Sequence, residues 1–200
     1  KNKFITFGSL NKLTKVNEDV IALWSKVLSS VSNSKLILKT KNLDNKRVRD
    51  DIINKFKKNN ISSNQIVLLG ESKTREELLR TYNNVDISLD TFPFQGFTTS
   101  HESAWMGVPL LTLKGNRLLF HSGECINSNL GMFDWIAKNS TDYISKALEF
   151  SSNINELTKI RKSLRKKLLD SALCDSENFG MHFSKMLWEM WKRFNKKNSF

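Results

Sequence analysis

Apolar residues recur along this chain in two alternating rhythms. Short runs rich in Ile, Leu and Val fall in KFITF, KLILK, QIVLLG, VDISLD and VPLLTL, and predict buried strands at residues 4–7, 36–38, 66–69, 87–89 and 110–112. Between them the spacing is helical. Behind Asn17, a capping residue followed by Glu18 and Asp19, the residues Val20, Leu23, Trp24, Val27, Leu28 and Val31 form one apolar stripe. Val48, Ile52, Ile53 and Phe56 give a surface helix its inner side, and a short helix starts near Thr74. Later segments predict a helix over about residues 119–127 and one or two more from MFDWIA and DYISKALEF. A basic helix over about 155–171 follows, and the last, over 179–194, carries Phe183, Leu187, Met190, Trp191 and Phe194 on one side. Strands alternating with helices predict an α/β fold: a Rossmann-like parallel sheet of five or six strands with helices on both faces, as one domain over residues 1–200.

Residues 85–113 are the stretch around which the rest is arranged. A strand stops at Pro93, a turn carries Gly96, and Thr98, Thr99 and Ser100 offer hydroxyls at a helix start that ends at Gly107 and Pro109, before the next strand. That is a βαβ unit. Its loop delivers the chain to a helix N-terminus, where free N–H groups and a partial positive charge suit an anion, so a phosphate-bearing ligand is expected. The loop holding Asn11, Lys12 and Lys15 also follows a strand's carboxyl end, the side on which open α/β sheets bind ligands.

No apolar run approaches the roughly 20 residues of a membrane span, so a soluble protein is expected. The opening KNKFITF leads straight into a strand and suggests a domain boundary within a longer protein. Cys125 and Cys174 have no metal-type spacing, which fits free thiols in a reduced, cytoplasmic setting. The net charge of +12 admits a nucleic-acid partner, a membrane surface or an anionic substrate, and, because lysines are scattered through almost every segment, a compositional habit. The cluster Lys159, Arg161, Lys162, Arg165, Lys166 and Lys167 wraps most of a helix and reads as a solvated face. A basic nucleic-acid-binding domain is the weaker alternative, since no helix-turn-helix, zinc or RNA-recognition signature accompanies the charge.

FGSLNKLTKVNEDVIALW, LLGESKTREELLRTYNNVDISLDTFPFQGFTTSHESAWMGVPLLTL and LLDSALCDSENFGMHFSKMLWEMW, in that order, resemble the C-terminal catalytic half of the O-GlcNAc transferase and SPINDLY-like glycosyltransferases. The resemblance implies the C-terminal half of a GT-B enzyme with two Rossmann-like domains, often preceded by tetratricopeptide repeats. Such enzymes are inverting and transfer a sugar, here UDP-N-acetylglucosamine as donor, to Ser or Thr hydroxyls of proteins without a metal or other cofactor. The N-terminal half would then be a partner of this domain, inactive alone, with the helices over 153–196 packed on the domain and facing that half. A catalytically inactive nucleotide-sugar-binding or scaffolding module is the rival reading.

The resemblance also assigns residues. Lys15 matches the lysine that contacts the donor phosphates and supports departure of the leaving group; the other reading is one lysine among many. Lys12 stands where animal members carry a phosphate-facing glutamine, and Asn11 belongs to the same loop. Thr98 and Thr99 match the threonines that hold the diphosphate, Gly96 allows close backbone approach, and Phe97 replaces a histidine of the animal enzymes. Glu102 matches the acid that bonds the ribose, although Thr99-x-x-Glu102 is also a capping box that needs no ligand. Arg75 aligns with a lysine near the nucleotide, and Ser72, Lys73 and Thr74 with the loop that reads the base. His101, His121 and His182 read as rim or packing residues, and none pairs at metal spacing.

Overall fold

The computed structural model describes residues 4–197. Six strands, β1 (Thr6–Ser9), β2 (Lys35–Lys39), β3 (Ile66–Leu69), β4 (Ile87–Leu89), β5 (Leu110–Leu113) and β6 (Ile136–Ala137), form one sheet in the order β3-β2-β1-β4-β5-β6. Every pairing is parallel. Helices α1 (Glu18–Ser30), α2 (Lys46–Lys58), α3 (Arg75–Arg80), α4 (Thr98–Trp105) and α5 (Ser122–Asn129) connect the strands, and α6 (Ser140–Ser152), α7 (Ile154–Leu169) and α8 (Ser176–Lys197) follow. The α/β expectation therefore holds. Alternate strand residues face opposite ways: Leu36, Leu38, Ile66 and Leu68 enter the large core with Trp24, Leu28 and Phe56, while Ile37, Val67 and Leu69 join Leu79, Tyr82, Val85 and Val108 on the other face. Strand order reverses between β1 and β4, which places the switch point of the sheet there.

Two local expectations are corrected. MFDWIA is not helical beyond a short 3-10 turn at Phe133–Trp135; Ile136 and Ala137 form β6 and pair with Thr112 and Leu113. A two-residue strand is too short to show an alternating pattern, and the neighbouring strand decides it. In α4, Thr98, Thr99 and Ser100 lie inside the first turn, because Phe97 is the residue that precedes the helix and no side chain caps it. The helix starts earlier than the hydroxyls suggested, and the Thr99–Glu102 capping box does not form.

The C-terminal helices behave differently from one another. α7 buries Leu157, Leu164 and Leu168. Its Arg161 donates to the carbonyl oxygens of Val85 and Tyr82, and Arg165 donates to that of Trp105. Part of the basic cluster thus terminates neighbouring turns instead of facing only water. α8 corrects the expectation that both final helices pack on the domain. Its nine large apolar residues, Phe179, Met181, Phe183, Met186, Leu187, Trp188, Met190, Trp191 and Phe194, are all exposed. At 100° per residue most of them form one stripe, with Met181 and Trp188 roughly opposite.

Gly107 closes α4 with a Schellman turn, in which its N–H donates to Ala104 and that of Val108 donates to Ser103. It has φ +75°, and a Cβ there would meet the Arg161 carbonyl oxygen at 2.6 Å. A left-handed non-glycine residue costs about 1–2 kcal/mol before any clash. Gly107→Ala is expected to lower the unfolding free energy by at least about 2 kcal/mol in urea titration; an unchanged midpoint would contradict this account of the turn.

Candidate functional site

Loops leaving β1 and β4 meet at the switch point. After β1 the chain buries Asn11, exposes Lys12, makes a 3-10 turn at Leu13–Lys15 and reaches Asn17. Asn17 holds two structures together: its Oδ1 accepts from the Val20 N–H at 2.9 Å, capping α1, and its Nδ2 donates to the Phe92 carbonyl at 3.1 Å. Beyond β4, Asp90 is fully buried and organises the second loop. Its Oδ1 accepts from the N–H groups of Thr91 (3.0 Å) and Gly96 (2.8 Å), and its Oδ2 accepts from Thr112 Oγ1 (2.9 Å). Gln95 braces the same loop against β5 and α5, donating to the Leu113 carbonyl at 2.5 Å and accepting from the Gly123 N–H at 2.7 Å.

Between the loops lies a cleft of about 680 Å³, lined by Asn11, Lys12, Thr14, Lys15 and Asn17 on one side and by Phe92, Pro93, Phe94, Phe97, Thr98 and Thr99 on the other. The uncapped start of α4 contributes N–H groups, at Thr98 and Thr99, that lack a side-chain acceptor. Opposite stands Lys15. Its Nζ donates to the Gln95 carbonyl at 2.7 Å and lies 4.1 Å from the centre of the Phe94 ring. Burial pulls the Lys15 pKa below its ordinary value; Asp90 opposes this and Lys12 adds to it. A cation facing free N–H groups forms a receptor for an anion.

Gly96 sits at the base of the cleft. A Cβ there would lie 2.5 Å from Ser100 Oγ and 3.0 Å from Asn11 Oδ1. Both of those atoms are buried without a hydrogen-bond partner among the described residues. Glu102, one turn into α4, accepts an ion-pair contact from Arg75 at 2.8 Å. Burial raises its pKa, against the pull of Arg75. Tyr82 fixes the same helix from below, donating from its hydroxyl to the Thr99 carbonyl at 2.9 Å.

Ser72 and Lys73 lie elsewhere, in a second depression of about 380 Å³ at the ends of β2 and β3. Arg75 lines that depression and also reaches Glu102 on α4. Phe97 is 64% exposed at the rim, edge-on to His101, whose Nδ1 lies 2.8 Å from the Phe97 carbonyl oxygen. Sequence reasoning singled out Lys15, Thr98 and Thr99 and read Asn17 as the cap of α1, but it missed the bond from Asn17 to Phe92 and the roles of Asp90 and Gln95. Only Asp90 left a visible signal, an acid directly after an apolar strand.

The family model described as Glycosyl transferase family 41 matches residues 1–183. The chain belongs to glycosyl transferase family 41. Family 41 relatives include proteins described as probable UDP-N-acetylglucosamine--peptide N-acetylglucosaminyltransferase SPINDLY. That of Eustoma exaltatum subsp. russellianum is 35% identical over 98% of this chain and 21% of its own length, and that of Hordeum vulgare is 34% identical over 96% and 20%. The chain thus spans about a fifth of the length of these curated relatives. The Thermobaculum terrenum O-GlcNAc transferase, solved as a K341M mutant, superposes with a TM-score of 0.90 at 28% identity, covering 96% of this chain and 37% of that one. Staphylococcus aureus TarM, at 14% identity and a TM-score of 0.60 over 84% of this chain and 32% of its own, shares the fold alone. The resemblance to the O-GlcNAc transferase and SPINDLY-like glycosyltransferases read from the motifs stands. Among the described residues no helix is long and apolar enough to cross a membrane.

Proposed function

We propose that this chain is the donor-binding domain of an inverting glycosyltransferase that uses a UDP-sugar, UDP-N-acetylglucosamine in first place, and delivers the sugar to Ser or Thr hydroxyls of proteins in the cytoplasm. The observation that carries this reading is the placement of Lys15 opposite the uncapped start of α4, across a cleft at the switch point. A sugar leaving a nucleoside diphosphate deposits negative charge on the β-phosphate. An ammonium and backbone N–H groups fixed in advance stabilise that charge more in the transition state than in the bound donor. In this reading Thr98, Thr99 and Lys15 hold the diphosphate, Lys12 and Asn11 flank it, and Gly96 admits its close approach. Glu102 accepts from the ribose hydroxyls, which compete with or add to its contact with Arg75. The names of the family 41 relatives support donor and acceptor classes alike.

The charge on the diphosphate is met by side chains and N–H groups of this chain, so no metal is assigned a role. The exposed stripe of α8 is assigned to contact with the other half of a two-domain enzyme, which the relatives' greater length would supply. Because transfer would take place in the cleft between two such halves, this chain alone is assigned binding without turnover.

The test is a calorimetric titration of the chain with UDP, ADP and GDP. UDP is expected to bind more tightly than either purine nucleotide by about tenfold or more. Equal affinity for all of them would reduce the site to an anion receptor and remove the donor assignment.

A further inference from the structure

Lysine is seldom buried, because its ammonium loses hydration that must be replaced. Lys39 ends β2 and is only 8% exposed. It lies two residues after Ile37, on the strand face that packs against the helix carrying Leu79. Its Nζ donates to the Gly70 carbonyl at 3.0 Å, and it takes part in no ion pair among the described residues. An ammonium has three N–H donors, so one carbonyl leaves most of its capacity unused. The side chain lines the second depression together with Gly70, Ser72, Thr74 and Arg75.

Arg75 lines that depression, and its guanidinium meets Glu102 on α4, one turn beyond the Thr98 that lines the main cleft. On the donor assignment proposed above, a nucleoside diphosphate with its phosphates at Thr98 and Thr99 and its ribose at Glu102 would extend its base towards Arg75 and the second depression. We infer that Lys39 reads a carbonyl oxygen of the donor's nucleobase and so sets base specificity. The inference rests on the donor assignment proposed above. An ammonium donates and never accepts. It therefore favours uracil, which presents carbonyl oxygens, over adenine, which offers ring nitrogens and an exocyclic amino group but no carbonyl.

Calorimetry of the whole chain with UDP, ADP and inorganic pyrophosphate, in the wild type and in Lys39→Met, tests this. Methionine keeps the apolar stem and removes the donors. UDP affinity is expected to fall about tenfold, pyrophosphate affinity to stay within about twofold, and the preference for UDP over ADP to shrink by the same factor as UDP binding. Lys39→Gln keeps an N–H donor for Gly70 and for the base. It is expected to retain more of the preference than methionine does, and it carries the test if thermal unfolding shows that the methionine variant is not folded. Equal weakening of UDP and pyrophosphate would make Lys39 a general positive charge and overturn the inference. So would a preference for UDP that survives in both variants. A wild type that binds pyrophosphate without preferring UDP would instead remove the donor assignment itself, and base reading with it.

Discussion

Lys15→Met is expected to weaken UDP binding by roughly ten- to a hundredfold while leaving the unfolding midpoint unchanged. The side chain lies between the Gln95 carbonyl and the Phe94 ring, at the edge of the cleft and outside the core. Methionine preserves the length of its stem, so packing survives. On the proposed reading, what disappears is one charge-assisted hydrogen bond to the diphosphate, worth about 1.5–3 kcal/mol. In a full-length enzyme the transfer rate should fall further than the affinity, because the departing diphosphate is more negative than the bound donor. Lys57→Met, on the exposed side of α2, controls for the positive field of the whole chain, whose effect is small and fades with salt. If both variants lose affinity equally and in parallel with ionic strength, Lys15 has no special place in the cleft.

Asp90 should prove the residue least tolerant of truncation around the site. Asp90→Ala leaves the N–H groups of Thr91 and Gly96 and the hydroxyl of Thr112 without their acceptor. At about 1–3 kcal/mol for each unsatisfied buried group, the loss should reach at least about 3 kcal/mol, with UDP binding lost as the loop over 91–97 loosens. Asp90→Asn keeps an oxygen for the backbone donors and isolates the charge. Burial raises the carboxyl to about 6 from 3.8, against the hydrogen bonds of Gly96, Thr112 and Thr91 and the nearby Lys15. The folded chain thus holds this proton more tightly than the unfolded one. Its contribution to stability is complete below pH 3.8 and is lost as the pH rises to about 6, a change of about 3 kcal/mol. Asparagine does not titrate, so relative to wild type it should gain stability across that window. Urea unfolding of both proteins at pH 4 and pH 7 measures this; a constant difference would mean that Asp90 ionises like an ordinary exposed acid.

The strands were legible because each places several apolar residues in a row between polar helices. β6 escaped because Ile136 and Ala137 offer only two positions, and their state is set by Thr112 and Leu113 across the ladder. Lys15, Thr98 and Thr99 were legible as residue types after strand ends. Gln95 was not, since its role comes from reaching Leu113 and Gly123, contacts that exist only once β5 and α5 are in place. The pairing of Glu102 with Arg75 was hidden for the same reason: the capping box was a local possibility that the earlier helix start removes, and the actual partner lies on another helix. Periodicity revealed that α8 has an apolar side, but could not reveal that the sheet leaves that side uncovered.

α8 also bears on the order in which the molecule comes together. None of its nine large apolar side chains is enclosed by the sheet or by the other helices, so the six strands and the core around Trp24 are complete without it. On the ribosome this helix is made after every strand, when the domain already has all it needs to close. On the proposed reading, its docking on the other half of the enzyme is thus a late event, separable in time from formation of the cleft. Until the helix docks, it is a sticky arm on the newly made chain, and that interval is the stage at which a chaperone has most to protect.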